Sequence, residues 1–214
     1  TGAATTGKGG DFSISVGTGN VASGGEINVT AGRTTASGAA GGRVAITAGI
    51  ASAGTGGAVE VTGGMSQARA GGKIAVTGGA GSSQTGGSVV ISSGSSVSTT
   101  SGSIRVATEN AGTTGVSGSL VFESGTTSSG ASGLVSFATG NAHGGAGGAI
   151  TLVVGAGNTA SGGAIALTAG ETTAASSGGS VTILSGYSTQ RSSGALRLRT
   201  ANAGNNGVSG ALSF

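Results

Sequence analysis

The side chains that could carry acid–base or metal chemistry are few and scattered in this 214-residue chain. The single histidine, His143, lies in the glycine-rich stretch GNAHGGAGG, and no acidic residue occurs within fifteen positions of it. Six acidic residues are spread between Asp11 and Glu171, and cysteine is absent. Catalysis needs titratable groups brought together, and thiolate metal sites need cysteine. We therefore predict a non-enzymatic protein without catalytic residues, metal ligands or a cofactor.

A rank of hydroxyl side chains is the one set that could bind a regular surface. Threonines repeated on a flat strand face resemble the surface of ice-binding β-solenoids, and the same face could meet a glycan. A second rank is missing, because the companion positions hold Asn28, Ala45 and Glu60. Threonine also suits any exposed strand, so we favour a structural role for the rank. The candidate surface residues are Thr30, Thr47, Thr62, Thr77 and Ser92.

Composition narrows the class of protein further. The chain has 50 glycines, no proline, 7% charged residues and a net charge of +3. Its nine cationic residues form no cluster beyond Arg197 and Arg199, so we predict no nucleic-acid partner. No apolar stretch approaches the roughly 20 residues of a membrane span, so we predict none. Few large side chains remain to fill a thick core, and we expect a narrow one along the chain.

A short repeat of near-constant length organises the whole sequence. Each repeat is recognised by the second residue of a GG or SG pair, which we call the marker glycine and number as position 0. Successive markers are separated by fifteen to seventeen positions, and fifteen is the commonest interval. The markers are Gly10, Gly25, Gly42, Gly57, Gly72, Gly87, Gly102, Gly118, Gly133, Gly148, Gly163, Gly179, Gly194 and Gly210.

The repeat has a fixed internal pattern. Positions 2 and 4 are large and apolar, as in Ile74 and Val76, and all four phenylalanines fall there. Positions 3 and 5 hold mainly small or polar residues, which gives the period-2 pattern of a strand with one buried face. Glycine returns at position 7 in eleven of thirteen repeats, and the other two carry Asn110 and Asn202 one place later. These residues predict a corner with a left-handed conformation or close backbone packing.

This pattern predicts an all-β fold, a single-stranded parallel β-solenoid of 13 to 14 coils with about 15 residues per coil. Glycine-rich corners and aliphatic core columns would stack from coil to coil. The alternative is a coil twice as long, with two opposed sheets. Residues 1–214 are predicted to form one solenoid domain, which we interpret as a segment of a longer repetitive chain.

The repeats also resemble a group of known sequences. Units of GG followed by alternating aliphatics, with phrases such as SGYST, TANAG and NTASGG, resemble Gly/Ser/Thr-rich repeat proteins predicted from algae, diatoms and related protists. The resemblance implies an extracellular or cell-surface location and a structural or adhesive role. We expect a rod, fibre or cell-surface building block that associates with itself end to end or laterally. Binding of ice or a glycan is the alternative function.

Overall fold

The structure is a computed structural model, and it describes residues 7–21, 23–159 and 161–214. Within these residues the backbone forms no helix and no strand. The chain alternates between segments without bends and short bent stretches. The prediction of an all-β parallel solenoid is therefore wrong, both for coils of one repeat and for coils of two.

The energetics of a single repeat explain why no solenoid core forms. Each repeat offers two large aliphatic side chains, whereas about 15 residues must be ordered, many of them glycines with the largest backbone entropy to lose. No hydrophobic side chain is buried in the described part of the chain. Accessible surface amounts to 20797 Å², against about 8400 Å² for a compact protein of this mass and about 28000 Å² for an unfolded one.

The sequence repeat nevertheless appears in the structure, as a series of loops closed at their base. At all thirteen junctions the marker glycine lies close to the residue at position 6 of the preceding repeat, so close that a Cβ added to the glycine would be within 4 Å of that residue. We call this close approach the neck. Seven residues in the described part are partly buried while the others are exposed, and six of the seven lie at position 6. They are Ala31, Ala48, Gly63, Gly78, Ala169 and Ser185.

Among the described residues, a backbone hydrogen bond closes the neck in seven repeats. The marker N–H donates to the carbonyl oxygen of the preceding position-7 glycine, with N···O distances of 2.8 to 2.9 Å. The enclosed loop varies in length, because the paired residues are eight apart at Gly49 and Gly57 but ten apart at Gly32 and Gly42. Extra residues in the longer repeats thus fall in the loop. The pairs are Gly42–Gly32, Gly57–Gly49, Gly72–Gly64, Gly87–Gly79, Gly102–Gly94, Gly179–Gly170 and Gly194–Gly186.

The predicted left-handed corner at position 7 is wrong. Positive φ angles in the described part occur only at five glycines, none of them at position 7, and neither Asn110 nor Asn202 has one. Gly38, for example, has a φ of 75° near a loop tip. The close backbone approach predicted as the alternative joins position 7 to the next marker, and the marker is the crowded glycine of the two. A Cβ on Gly42 would lie 2.9 Å from the Gly32 nitrogen, a backbone atom that cannot rotate away.

Contacts divide the chain into two units, Thr1–Val106 and Ala107–Phe214. In the second unit, the position-4 rings of neighbouring repeats meet: Phe122 and Phe137 lie edge to face, with centroids 6.2 Å apart. Such aromatic pairs stabilise slightly beyond the area that they bury. Position 4 of one repeat can therefore lie beside position 4 of the next. The organisation as one domain stays a prediction, and in the described residues no helix is long and apolar enough to cross a membrane.

Candidate interaction surface

In each of the first thirteen repeats the loop tip is a backbone bend that begins at position 10 or 11. Where position 9 is Ser or Thr, its hydroxyl oxygen accepts the backbone N–H two or three residues later. Ser66 accepts from Arg69 at 2.9 Å, and Ser188 accepts from Arg191 at 2.8 Å. The other seven repeats have Gly or Ala at this position. All six hydroxyls at position 9 are therefore turn caps: Thr34, Ser66, Ser96, Thr127, Thr172 and Ser188.

Replacing Ser66 by alanine is expected to loosen its loop tip without affecting the neck. The hydroxyl holds the Ala68 and Arg69 amides, and a hydrogen bond of this kind contributes about 0.5–1.5 kcal/mol. Faster amide exchange at Arg69, with unchanged exchange at Gly72, is the expected measurement. Ser66→Thr is the matched control and should retain protection. Equal exchange at Arg69 in Ser66→Ala and wild type would contradict the capping role.

The exposed large side chains are mostly apolar, and they recur in every repeat. Thirteen of fourteen position-2 side chains are 46–58% exposed, and most position-4 side chains are more exposed still, as at Val76 with 75%. Monomeric soluble proteins rarely expose contiguous apolar patches larger than a few hundred Å². We call these two sets the aliphatic columns. They repeat at every marker, and no element in the described residues covers them.

The predicted rank of hydroxyls lies at position 5, and all its members are exposed. The backbone around them forms no strand, so no sheet sets their spacing. The flat strand face on which the rank was predicted is absent from the described residues. The binding of ice or a glycan by these hydroxyls stays a prediction. The residues are Thr30, Thr47, Thr62, Thr77 and Ser92.

Charged and titratable groups in the described part of the chain form at most isolated pairs on the surface. The Lys8 ammonium pairs with the Asp11 carboxylate at 2.8 Å, and both side chains are almost four-fifths exposed. The Asn28 amide donates to Glu26 at 3.3 Å. His143 lies exposed at the tip of its loop. In the part of the chain that the structure describes, no three potential ligand side chains gather where they could hold a metal ion.

An open depression of about 330 Å³ lies beside the densest basic stretch of the sequence, lined by Arg199, Thr200, Ala201 and Asn202. Only one of these side chains is charged, and it is exposed to solvent. Specific sites bring several polar groups together on one ligand. Arg199 alone offers no converging set of donors to an anion, so we assign no ligand to this depression.

Two positions have structural roles that the strand pattern does not indicate. Position 6 is always Gly, Ala, Ser, Thr or Val, a restriction typical of close contact, and it forms the neck. Position 9 divides into hydroxyl residues and Gly or Ala, which is the pattern of a turn cap. Both signals are present in an alignment of the repeats. They are weaker than the period-2 pattern, which points only to positions 2 and 4.

Comparison with protein-family models, with curated proteins and with solved structures found no match for this chain.

Proposed function

We propose that the chain is a non-enzymatic structural protein that associates with further copies of itself through the aliphatic columns. Fourteen repeats carry large apolar residues at the same two positions, and these side chains stay about half or more exposed. This exposure is the single observation that carries the proposal. Exposed apolar surface of such extent drives association, because covering it removes it from water.

The regular repeat favours a second copy of the same chain as the binding partner. A second copy presents aliphatic pairs at the same spacing, so contacts formed at one repeat can recur at the next. Weak contacts linked in series add up to a strong association without any single strong site. Such association would produce fibres or layers. Assemblies of this kind fit a structural component of the cell surface or the extracellular matrix. The resemblance to Gly/Ser/Thr-rich repeat proteins supports that location.

The experiment compares two variants that place the same asparagines in one repeat. In the first, Ile74→Asn and Val76→Asn replace the aliphatic pair; in the second, Ala75→Asn and Thr77→Asn alter the alternate positions. Ile74 and Val76 are 52% and 75% exposed, so their burial on association is worth about 1–3 kcal/mol together, or roughly tenfold in affinity. Sedimentation velocity over a range of concentrations should show weaker association in the first variant only.

The control variant has the same number of asparagines and the same net charge, so it reports any general effect on solubility. Electron microscopy of the wild-type protein should show multimers that grow with concentration. Monomers at all concentrations in the wild type would overturn the proposal. Equal loss of association in both variants would show that the aliphatic columns do not mediate it.

A further inference from the structure

A second, sparser set of exposed aliphatic residues interrupts the alternate positions 3 and 5. Elsewhere these positions hold polar or charged residues or alanine. The exceptions recur at every second repeat, at spacings that differ by no more than one position. Their side chains are 67–89% exposed. The four residues, which we call the outer set, are Val90, Val121, Val153 and Leu184.

The outer set is arranged symmetrically about one residue. Residue 137 is the midpoint between Val90 and Leu184, and it is also the midpoint between Val121 and Val153. The first two members lie at position 3 and the last two at position 5. Two antiparallel copies of the second unit aligned at Phe137 would place Val121 of each copy opposite Val153 of the other. An isologous two-fold interface requires a surface that is complementary to itself in this way.

The neighbouring residues match in the same alignment. Leu120, Val121 and Phe122 fall opposite Val154, Val153 and Leu152, so three consecutive apolar residues face three others. Phe137 falls opposite its own copy. Its ring already contacts Phe122 within one chain, with centroids 6.2 Å apart. Apolar residues therefore fall opposite apolar residues at the midpoint and at one segment on either side of it.

The same alignment also separates like charges. Within the second unit, the charged residues whose opposite positions also lie in that unit are Glu109 and Glu123, and they fall opposite the neutral Ile165 and Thr151. A parallel alignment in register would instead set Arg197 and Arg199 against themselves. Charge therefore favours the antiparallel alignment.

We propose that two copies of the chain pair antiparallel about Phe137, with Val121 of each copy against Val153 of the other. The proposal rests on the proposed function and adds to the aliphatic columns a contact at positions 3 and 5, which sets the register of association. In the single chain Val121 and Val153 are 67% and 79% exposed, so most of each side chain is accessible to a second copy. Pairing forms the contact twice, because a two-fold axis relates its two occurrences.

Disulfide trapping tests the register directly, because the chain contains no cysteine of its own. Val121→Cys and Val153→Cys chains are mixed and oxidised mildly, so that two thiols lose two hydrogens to the added oxidant and form one disulfide. A covalent dimer is expected in the mixture, at least fivefold more abundant than in either variant alone. The matched control mixes Val121→Cys with Ala138→Cys, which lies at position 5 of the repeat before that of Val153 and should give little dimer.

Charge exchange provides a second, independent test. Val121→Asp and Val153→Lys should each weaken self-association at least tenfold, measured by sedimentation equilibrium. Mixing the two variants should restore it, because the new carboxylate of one copy then meets the new ammonium of the other, while the unchanged valines meet at the second contact. Restoration also shows that both variants keep a competent conformation.

The outcomes separate this proposal from the proposed function. Preferential dimers of Val121→Cys alone would indicate a parallel register and overturn the antiparallel one, while leaving self-association intact. Equal cross-linking in the control mixture, or no restoration on mixing, would likewise overturn the register alone. A disulfide joining both cysteines within the Val121→Cys/Val153→Cys double variant, independent of concentration, would place the contact within one chain. Absence of any association in the wild type would overturn both proposals.

Discussion

Replacing Gly42 by alanine is expected to open the neck between the second and third repeats. The added Cβ would lie 2.9 Å from the Gly32 nitrogen and 3.2 Å from both the Gly32 oxygen and the Ala31 Cβ. Most of these are backbone atoms, so the neck must widen and the Gly42–Gly32 hydrogen bond of 2.8 Å is lost. Overpacking of this kind costs about 1–3 kcal/mol. The protection of the residue-42 amide against hydrogen exchange should fall by about tenfold.

The opposite side of the same neck provides the control. A Cβ on Gly32 would meet no atom within 4 Å, and its φ is not in the left-handed region. Gly32→Ala should therefore leave the protection of the Gly42 amide within about twofold of wild type. Equal loss in the two variants would show that backbone flexibility, rather than the close approach at the marker, maintains the neck.

An insertion of one serine is expected to weaken self-association strongly in the aliphatic half of a repeat and only slightly in its loop. Between Ile74 and Ala75 it moves Val76 from position 4 to position 5, so the second aliphatic leaves its column. Between Ser82 and Ser83 it lengthens only the loop between Gly79 and Gly87, and longer loops occur at other necks. The first insertion should weaken self-association about tenfold, and the second should change it less than about twofold.

Sedimentation velocity of the two insertion variants at matched concentrations provides the comparison. Both variants have the same composition and charge, so only the position of the added residue differs. Amide exchange at Gly87 should stay protected in both, because each insertion leaves the neck residues in place. A strong effect of the loop insertion on association would indicate that the loops, rather than the aliphatic columns, form the contact between copies.

The repeat and its apolar positions were predictable because they follow directly from the order of residues along the chain. Aligning the marker glycines identifies positions 2 and 4, and the structure uses the same period for its necks. The strand predicted from the same residues is wrong, because the described part of the chain forms none. Alternation shows which side chains could share a face, but a sheet also needs a neighbour that pairs its backbone.

Glycine roles show the same division at particular residues. Gly32 and Gly42 occupy fixed columns in the sequence, and both could serve a corner or a close approach. Only the structure shows that Gly42 is the crowded residue, that Gly32 supplies the accepting carbonyl and that the left-handed conformation lies further on at Gly38. Periodicity in the sequence identifies which glycine positions are constrained. It does not show whether the constraint is a left-handed conformation or a close backbone approach.

The sequence by itself determined the period, the two aliphatic columns, the scarcity of titratable groups and the symmetric placement of Val121 and Val153 about residue 137. The tertiary structure alone decided that the repeats close as loops at position 6 and that the aliphatic columns stay exposed. The physical reason is that a local pattern records what each residue can bury. Whether burial occurs depends on how much apolar surface neighbouring segments contribute, against the entropy of ordering a glycine-rich chain.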